Sequence, residues 1–483
     1  MHKKFFLILF SVLLLVSNVA QANQYSFQGE GSFLVGDDLN DNLFIAKSRA
    51  KDRALKNARM KAGVFVSSIT SVQDLMVTSD DIEIILSNVV KIEGEPQFQI
   101  EGFEDGLAIQ VKCNLTAVLD DSNIATQIAN REWLKNLARI QSEIEKNNKE
   151  IDELQRQYID STDEAERVVI RDKIIGNNNR FLANQHLQEG SKYLSTEDFD
   201  SALEEYKHAL NLNPGSIAAY VDVGIAYYRK GDYYQAVGYY NKALLLDSHD
   251  FYALLNRASA YMELEQYDLA LRDLKEINPK TAKIYFMLGV ADNEINKLHN
   301  TYWYSNAIKL DPNYAEAYIN RGVEYIESAR QDIRLAKKLN VKSRFKSARK
   351  SFDFALKDFN KAIQLQPKNA YVYLNRGTVY HEKKKFEQAL ADYTYAIELE
   401  PDNSIAYSNR GATYVVMKKY LLAISDCNRA IELDTNCFGA YVNRGEAYEA
   451  IGEIELAISD FKNAILLNPS DEESRKHLAK LQE

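Results

Sequence analysis

The sequence predicts a mainly α-helical protein: an eight-repeat α-solenoid preceded by a small α+β domain and a helical connector. Three observations lead to this fold class. Glycine, or once alanine, returns at one position of a 34-residue period through the C-terminal part of the chain, and alanine returns at a second position of that period. Stretches before residue 120 instead alternate apolar and polar side chains, as half-buried strands do.

Residues 1–22 predict a cleaved signal peptide. A basic start precedes an apolar run over residues 5–16, and Ala20-Gln21-Ala22 has the small residues of a cleavage site. The run is too short to cross a bilayer as a helix, although an uncleaved anchor is the alternative. Because the first cysteine is Cys113, no cysteine near the cleavage site can carry a lipid. We therefore expect an exported protein that is not a lipoprotein, located in the periplasm or secreted, with no transmembrane segment in the mature chain.

Residues 23–121 are expected to form the small α+β domain. One alternating stretch starts at Tyr25, and two more flank the turn residues Glu104-Asp105-Gly106, which predict a hairpin. Between them, one face of a predicted helix is formed by alanine alone, so that the helix can lie close on a sheet: Ala46, Ala50, Ala54, Ala58 and Ala62. Its other faces are basic, and we interpret them as solvated, with contact to an anionic surface as the alternative: Lys47, Arg49, Lys51, Arg53, Lys56, Arg59 and Lys61.

The order of elements in this domain carries a resemblance. A strand, the alanine-rich helix "AKSRAKDRALKNA", a second helix over residues 80–91 and a hairpin follow one another. This order resembles the N-terminal domain of the flagellar assembly protein T and of related small envelope lipoproteins. The resemblance implies an envelope-associated binding domain.

Residues 122–182 predict a helical connector. Apolar residues recur at three- and four-residue spacing, and Asn147 interrupts them: Leu137, Ile140, Ile144, Ile151, Leu154 and Tyr158. A hairpin that folds back on itself explains the pattern. A dimeric coiled coil is the alternative, in which Asn147 fixes the register and the protein is a homodimer.

Residues 183–471 divide into eight units of related sequence. Three residues after the recurrent glycine comes a tyrosine, as in Gly377 and Tyr380, and proline ends several units. This pattern resembles the tetratricopeptide repeat family, which implies antiparallel helix pairs stacked into a superhelix, followed by a polar capping helix at residues 472–483. The units are 183–216, 217–250, 251–280, 281–314, 315–369, 370–403, 404–437 and 438–471.

Five units carry arginine just before the glycine, where this family usually has leucine. Each of these arginines is followed by aspartate sixteen residues later, or thirty-seven residues later in the long fifth unit. A charge-assisted pair between the two helices of a unit explains this recurrence, and we interpret the pairs as structural rather than as ligand contacts. They are Arg257–Asp273, Arg321–Asp358, Arg376–Asp392, Arg410–Asp426 and Arg444–Asp460.

An asparagine precedes each of these arginines. One residue is a rotation of about 100° on a helix, which the family resemblance turns toward the concave groove. This looks like the asparagine ladder by which some tetratricopeptide superhelices hold an extended peptide, because a carboxamide offers both a donor and an acceptor. The alternative is that these asparagines only cap or solvate the inner face. The candidate groove contains Asn256, Asn320, Asn375, Asn409 and Asn443, with apolar neighbours Val221, Leu255, Phe286, Ile319, Leu374 and Val442.

The fifth unit contains a basic insertion at residues 330–350. Nine lysines or arginines accompany a single acid, Asp332. If both helices lengthen, they form a basic arm that projects about 15 Å. Apolar residues are expected to hold its helices together: Ile333, Leu335, Leu339, Phe345 and Phe352. The arm is able to contact an acidic partner or anionic lipid headgroups, or it is a solvated extension. Its basic residues include Arg334, Lys337, Lys338, Lys342, Arg344 and Lys346.

Composition excludes several function classes. The 69 acidic and 59 basic residues give a net charge of −10, which disfavours a nucleic-acid partner. The three cysteines and seven histidines show no spacing typical of a metal site, and no catalytic motif is recognised. We therefore predict a protein that is not an enzyme and has no metal and no cofactor.

The combined expectation is an exported scaffold whose repeats bind extended polypeptide segments of partner proteins through an asparagine-lined, partly apolar groove. The alternative is a structural component of a cell-envelope assembly of flagellar type. In that case the repeats pack permanently against a partner, and larger apolar patches are expected on the convex face.

Overall fold

The computed structural model describes residues 24–36, 43–72, 90–102, 108–120, 131–296 and 300–482. The chain divides into two compact units, Met1–Ala260 and Tyr261–Glu483. The predicted signal peptide, most of the helix predicted at residues 80–91 and the predicted hairpin turn lie outside the described residues. None of the described helices combines the length and the apolar character that crossing a membrane requires.

The first unit begins with a three-stranded antiparallel sheet. Its strands are β1 (Gln24–Gly36), β2 (Val90–Gly102) and β3 (Ala108–Asp120), in the order β1-β3-β2. Cys113 of β3 lies between Gly31 of β1 and Phe98 of β2, and a bulge interrupts β2 between Glu93 and Gln97. The three strands are those that the alternating stretches predict.

Helix α1 (Leu43–Val72) lies on this sheet through the predicted alanine face. All five of its alanines are buried. A Cβ atom on Gly31 would come within 2.4 Å of both the Ala50 carbonyl oxygen and the Ala54 backbone nitrogen. The helix therefore packs so closely on β1 that only glycine fits beneath it.

Helices α2 (Arg131–Asp160) and α3 (Glu164–Ser195) form a hairpin. The seam residues Ile140 and Ile144 are buried in one core with α3, while Ile151, Leu154 and Tyr158 are buried with α1 and the sheet. The chain itself thus packs against these five seam residues, which agrees with a hairpin. Helix α3 runs unbroken to Ser195, so the expected boundary between residues 182 and 183 falls inside a helix.

Arg49 of α1 is fully buried where α1 meets this hairpin. Its Nε donates to Asn178 Oδ1 (3.2 Å) and its Nη1 to Asn148 Oδ1 (2.7 Å). Its Nη2 donates to Asn147 Oδ1 (3.0 Å) and Asn177 Oδ1 (2.7 Å). One side chain thereby connects the α+β domain to both helices of the connector.

Aromatic rings complete the environment of Arg49. The guanidinium lies 4.1 Å from the ring centroid of Phe181 and 5.4 Å from that of Phe33. Burial lowers the pKa of Arg49 to about 9, with a further contribution from the positive charge of Arg53. The expectation of a solvated Arg49 is wrong, and Asn147, to which the dimer alternative gave a register-setting role, accepts a hydrogen bond from Arg49. A planar guanidinium can be buried when its donors meet oxygen acceptors, and here the asparagines supply them.

The rest of the first unit contains repeat helices. They are α4 (Phe199–Leu212), α5 (Ile217–Arg229), α6 (Tyr233–Leu246) and α7 (Phe251–Glu263), whose last turn belongs to the second unit. The end of α3 pairs with α4, and α5 pairs with α6. The recurrent glycine is where the paired helices approach: a Cβ atom on Gly224 would lie 2.3 Å from the ring of Tyr240.

The second unit contains the remaining repeat helices and the cap. They are α8 (Tyr267–Glu276), α9 (Ala282–Asn296), α10 (Tyr302–Leu310), α11 (Ala315–Leu339), α12 (Lys342–Leu365), α13 (Ala370–Glu382), α14 (Phe386–Leu399), α15 (Ser404–Val416), α16 (Tyr420–Leu433), α17 (Phe438–Ile451), α18 (Ile454–Leu467) and α19 (Glu472–Gln482). Helix α19 packs on α18, and its His477 bonds to Glu449 of α17. The described elements are therefore those predicted: a small sheet domain, followed along the chain by helix pairs.

Candidate protein-binding face of the repeats

The repeated arginines of the second unit form bidentate pairs with the aspartates that their spacing assigns to them. Arg376 Nε and Nη2 donate to Asp392 Oδ2 and Oδ1 at 2.8 and 2.7 Å. The same two bonds, at 2.7 to 2.8 Å, join three further pairs, Arg321–Asp358, Arg410–Asp426 and Arg444–Asp460. The pair Arg257–Asp273 has one member in each unit and stays a prediction.

Each of these arginines also reaches the preceding repeat. Its Nη1 donates to a short polar side chain sixteen residues earlier, on the second helix of that repeat. The acceptors in the second unit are Ser305, Asn360, Thr394 and Asn428, at 2.6 to 3.1 Å. Arg257 makes the same bond to Asn241 in the first unit, at 2.6 Å. Every arginine thus joins two consecutive repeats, a contact that the sequence analysis missed although the sixteen-residue spacing was readable.

The electrostatics of these pairs favour the charged arginine. Hydrogen bonds to aspartate raise the pKa of Arg410 and Arg444 above its ordinary value. At Arg321 and Arg376, burial lowers the pKa, but the bonds to aspartate outweigh burial and the net direction is upward. Because the arginine side chains keep only 16 to 19% of their surface exposed, the pairs are structural parts of the array and are not free to bind a ligand.

The first helices α11, α13, α15 and α17 contact one another in sequence, and we call the surface they form the first-helix face. The predicted asparagines of the second unit are half-buried on these helices. Asn375 Nδ2 donates to the carbonyl oxygen of Tyr371 one turn earlier, and Asn443 Nδ2 donates to that of Ser408 in α15. Asn320 bonds to the hydroxyl of Tyr304. In Asn375 and Asn443 one N–H of the amide is therefore used within the protein, while the oxygen Oδ1 can accept a hydrogen bond from a ligand.

Three of the apolar residues expected to line the groove do not. Val221, Ile319 and Leu374 are buried in cores between the helices. Each of the three directly precedes the asparagine position, which Asp222 fills in the second repeat, and the rotation of about 100° per residue turns it toward the packed side of the helix. Leu255, Phe286 and Val442 are only half-buried.

Two exposed apolar residues that the sequence analysis missed lie on the first-helix face instead. Tyr371 precedes Asn375 by four residues and is 49% exposed, and Ile405 precedes Asn409 by four residues and is 56% exposed. Residues four apart lie on the same side of a helix, so Asn375 and Asn409 each have an exposed apolar neighbour one turn away. The four-residue spacing was the available signal.

In the first unit, the connector covers the corresponding positions. Asp222 of α5 stands where later repeats have asparagine, and it is fully buried. Arg139 of α2 donates to Asp222 Oδ1 at 3.1 Å, and its guanidinium lies 5.4 Å from the ring of Tyr252, which precedes Asn256 by four residues. This part of the repeat surface therefore already holds a segment of the chain itself.

The basic arm is present as the extended hairpin of α11 and α12. Ile333 and Leu335 are half-buried and Phe352 is buried, as expected. Leu339 and Phe345 are exposed, so the expectation that they hold the two helices together is wrong. Further from the tip, the buried Ala336 and Ala348 pack the arm instead. Small side chains let the two helices approach closely. The larger side chains of Leu339 and Phe345, nearer the turn, therefore do not fit between the helices and are exposed to solvent.

Within the described ranges, no group of three or more His, Cys, Asp or Glu side chains is arranged to hold a metal ion. Cys113 and Cys427 are free and buried, and Cys437 is free and half-buried. Burial raises the pKa of the Cys427 thiol to about 12, with a smaller contribution from the charge of Asp426. This thiol is therefore protonated at neutral pH.

Comparison with known families agrees with the helix pairs. Models described as tetratricopeptide repeat match residues 217–250, 370–403 and 438–471, and a model described as TPR repeat matches 190–231 and 348–384. The matches fall on helix pairs of both units. The chain is a tetratricopeptide repeat protein.

This tetratricopeptide repeat protein is similar to two curated proteins over part of their length. It is 28% identical over 181 residues to the Hsp70-Hsp90 organizing protein of Triticum aestivum, a match that covers 33% of this chain and 31% of that protein. It is 34% identical over 103 residues to serine/threonine-protein phosphatase 5 of Mus musculus, covering 20% and 21%. The chain thus spans less than a third of these relatives.

A solved structure is also similar to this tetratricopeptide repeat protein. The first TPR of Spaghetti (RPAP3) bound to an HSP90 peptide is 32% identical, with a TM-score of 0.23, and the match covers 23% of this chain and 90% of that one.

Proposed function

We propose that the protein is a non-catalytic adaptor whose first-helix face binds an extended segment of a partner protein. The observation that carries this proposal is the pairing of Asn375 with exposed Tyr371 and of Asn409 with exposed Ile405 on the contacting helices α13 and α15. An asparagine Oδ1 accepts a hydrogen bond from a peptide N–H whatever the side chain, and the neighbouring apolar surface takes up a side chain. No cofactor is part of the proposal.

The first unit supports this use of the surface. Asp222 and Tyr252 occupy the equivalents of the asparagine and its exposed neighbour, and Arg139 of the connector binds both. The repeats thus hold a protein segment at these positions within the chain. The stretch proposed for a partner is in the second unit, at repeats five to eight.

The similarity to a Hsp70-Hsp90 organizing protein supports the adaptor class. The lysine, arginine and asparagine set by which related repeats clamp chaperone tails does not occur here, since leucine, serine or valine stands at those positions. We therefore propose a partner segment held mainly by its backbone and by apolar side chains, and not by a terminal carboxylate.

The test is a binding assay with the full chain. Extended peptides selected against the protein are measured by isothermal titration calorimetry. The variant Asn375→Ala/Asn409→Ala is expected to bind about tenfold more weakly, because two hydrogen bonds of about 1 kcal/mol each are lost in part to water. The variant Tyr371→Ala/Ile405→Ala is expected to lose at least as much, through apolar contact area.

A matched control is available on a second helix. Asn306 Nδ2 donates to the carbonyl oxygen of Tyr302 four residues earlier, the same bond that Asn375 makes, but on α10. Asn306→Ala should leave affinity unchanged. Equal affinities for the native chain and for the Asn375→Ala/Asn409→Ala variant would refute the proposed site.

A second candidate is a structural component of a cell-envelope assembly. Exposed leucines on second helices favour it, among them Leu421 and Leu422 of α16 and Leu466 of α18. In the same assay, Leu421→Ser/Leu466→Ser would then abolish binding while the first-helix variants retained it. The adaptor proposal expects the opposite pattern.

We propose in addition that the protein is exported to the periplasm or the medium, on the basis of the sequence pattern of residues 1–22 and of the resemblance of the N-terminal domain to envelope proteins. The expected result is a secreted or periplasmic chain that begins at Asn23, because cleavage follows Ala22. N-terminal sequencing of the protein from fractionated cells measures this. A chain that retains residue 1 and stays in the cytoplasmic fraction would contradict export.

A further inference from the structure

We propose that the end of the basic arm docks on an anionic lipid bilayer, with apolar side chains of the turn entering the headgroup region. The arm tip is defined here as residues 337–346, which comprise the end of α11, the turn and the start of α12. This surface lies outside the first-helix face and does not depend on the function proposed for it.

The geometry makes the tip a projecting surface. Helices α11 and α12 have 25 and 24 residues, whereas α13 and α14 of the next repeat have 13 and 14. At 1.5 Å per residue, the extra ten or more residues carry the tip about 15 Å beyond the ordinary end of a repeat. The turn itself is tight: Asn340 adopts a left-handed conformation with φ of 51°, and Ala336 O accepts backbone bonds from both Asn340 and Val341. The tip is therefore compact and convex.

Four lysines of the tip carry charge that no carboxylate of the described residues compensates. Asp332, the one acid between residues 330 and 350, is taken by Arg344 at 2.9 Å. Lys337, Lys338, Lys342 and Lys346 are exposed, and in the part of the chain that the structure describes no carboxylate pairs with them. In a chain of net charge −10, such a cluster is complementary to an anionic surface. Lysines at a membrane surface bind anionic headgroups and lose this attraction as salt rises.

Exposed apolar side chains stand among these lysines. Leu339 is 57% exposed, Phe345 45% and Val341 37%, although a hairpin could have buried them between its helices. Apolar side chains rimmed by lysine are typical of surfaces that enter the lipid interface. An acidic polypeptide would need the lysines but would leave Leu339 and Phe345 in water, whereas a bilayer satisfies both. The convex shape of the tip also fits a flat bilayer better than it fits a narrow polypeptide segment.

Vesicle flotation tests the proposal with the chain from residue 23 onward, because the apolar residues 5–16 would bind lipid themselves. The probes are vesicles of phosphatidylcholine alone and vesicles with 30% phosphatidylglycerol. The native chain is expected to float with the anionic vesicles at low salt and not with the neutral ones. Lys337→Glu/Lys338→Glu/Lys342→Glu/Lys346→Glu is expected to reduce the binding constant about 100-fold.

A second variant tests insertion. Leu339→Ser/Phe345→Ser keeps the charges and is expected to weaken binding to anionic vesicles about tenfold or more, because apolar area no longer enters the interface.

Lys384→Glu/Lys418→Glu is the matched control, since these exposed lysines stand in turns of other repeats, and it should bind as the native chain does. Circular dichroism confirms that each variant is folded.

Three results would overturn the proposal. The native chain does not float with anionic vesicles, or the lysine variant floats as well as the native chain. In the third result, the lysine variant loses binding while Leu339→Ser/Phe345→Ser does not. This result would show that the apolar side chains of the tip do not enter the headgroup region. If the native chain instead binds polyglutamate and ignores vesicles, the arm recognises an acidic polypeptide and the bilayer is not its partner.

Discussion

Arg49→Ala is expected to lower the free energy of unfolding of the first unit by about 4 kcal/mol. Removing the guanidinium leaves four asparagine oxygens without their donor, and three of these asparagines, Asn147, Asn177 and Asn178, are buried. An unsatisfied buried polar group costs about 1 to 3 kcal/mol. The cavity beside Phe181 adds to this cost. Urea unfolding followed by circular dichroism measures the loss.

Two further variants separate the network from simple charge. Arg49→Lys keeps the positive charge but replaces three donating nitrogens by one, so it cannot reach all four asparagine oxygens and is expected to recover less than half of the loss. Lys51→Ala, exposed on the same helix, should change stability by less than about 0.5 kcal/mol. Full stability of the lysine variant would show that the bonds to the asparagines are dispensable.

Arg410→Leu is the second large expected effect, a loss of about 3 kcal/mol in the unfolding free energy of the second unit. Leucine is the usual residue of the family at this position, so the volume is compatible. The cost arises because Asp426 becomes a buried carboxylate without its bidentate partner, and because Thr394 loses the bond that joins the two repeats. The loss of unfolding free energy is large because only one member of the buried ion pair is replaced.

The measurement uses Trp303 as a fluorescent reporter in the second unit, after Trp133 of the first unit is changed to Phe. In this background, Arg410→Leu/Asp426→Leu should recover most of the lost stability, since an apolar pair can replace a buried ion pair at little net cost. A double variant as unstable as Arg410→Leu alone would mean that the pair itself, and not the stranded Asp426, determines stability.

The repeats could be predicted from the sequence because one chain shows the same physical solution several times. The glycine column at Gly224 and Gly377 is explained by the aromatic ring that packs on it, and the column of arginines by the aspartate it binds. The alanine face of α1 was equally readable, since a sheet must lie against it.

Other features depend on packing between distant segments, which no local pattern shows. Arg49 lies about 100 residues from Asn147 and about 130 from Asn178, and on its own helix it looks like any basic residue. Leu374 was predicted to line the groove, but it is buried in a core between helices. Phe345 was predicted to hold the arm together, but it is exposed and Ala348 is buried there instead. Composition alone could not separate these alternatives.

The bond from each arginine to the preceding repeat has a consequence for how the second unit unfolds. In repeat arrays each repeat contacts only its neighbours, so stability is the sum of intrinsic and nearest-neighbour terms. Ser305, Asn360, Thr394 and Asn428 place a strong neighbour term at every junction from the fourth repeat to the eighth. These repeats should therefore melt in one cooperative transition, without fraying one by one from the end. A polypeptide bound as proposed on the first-helix face would then meet repeats that hold together as one body.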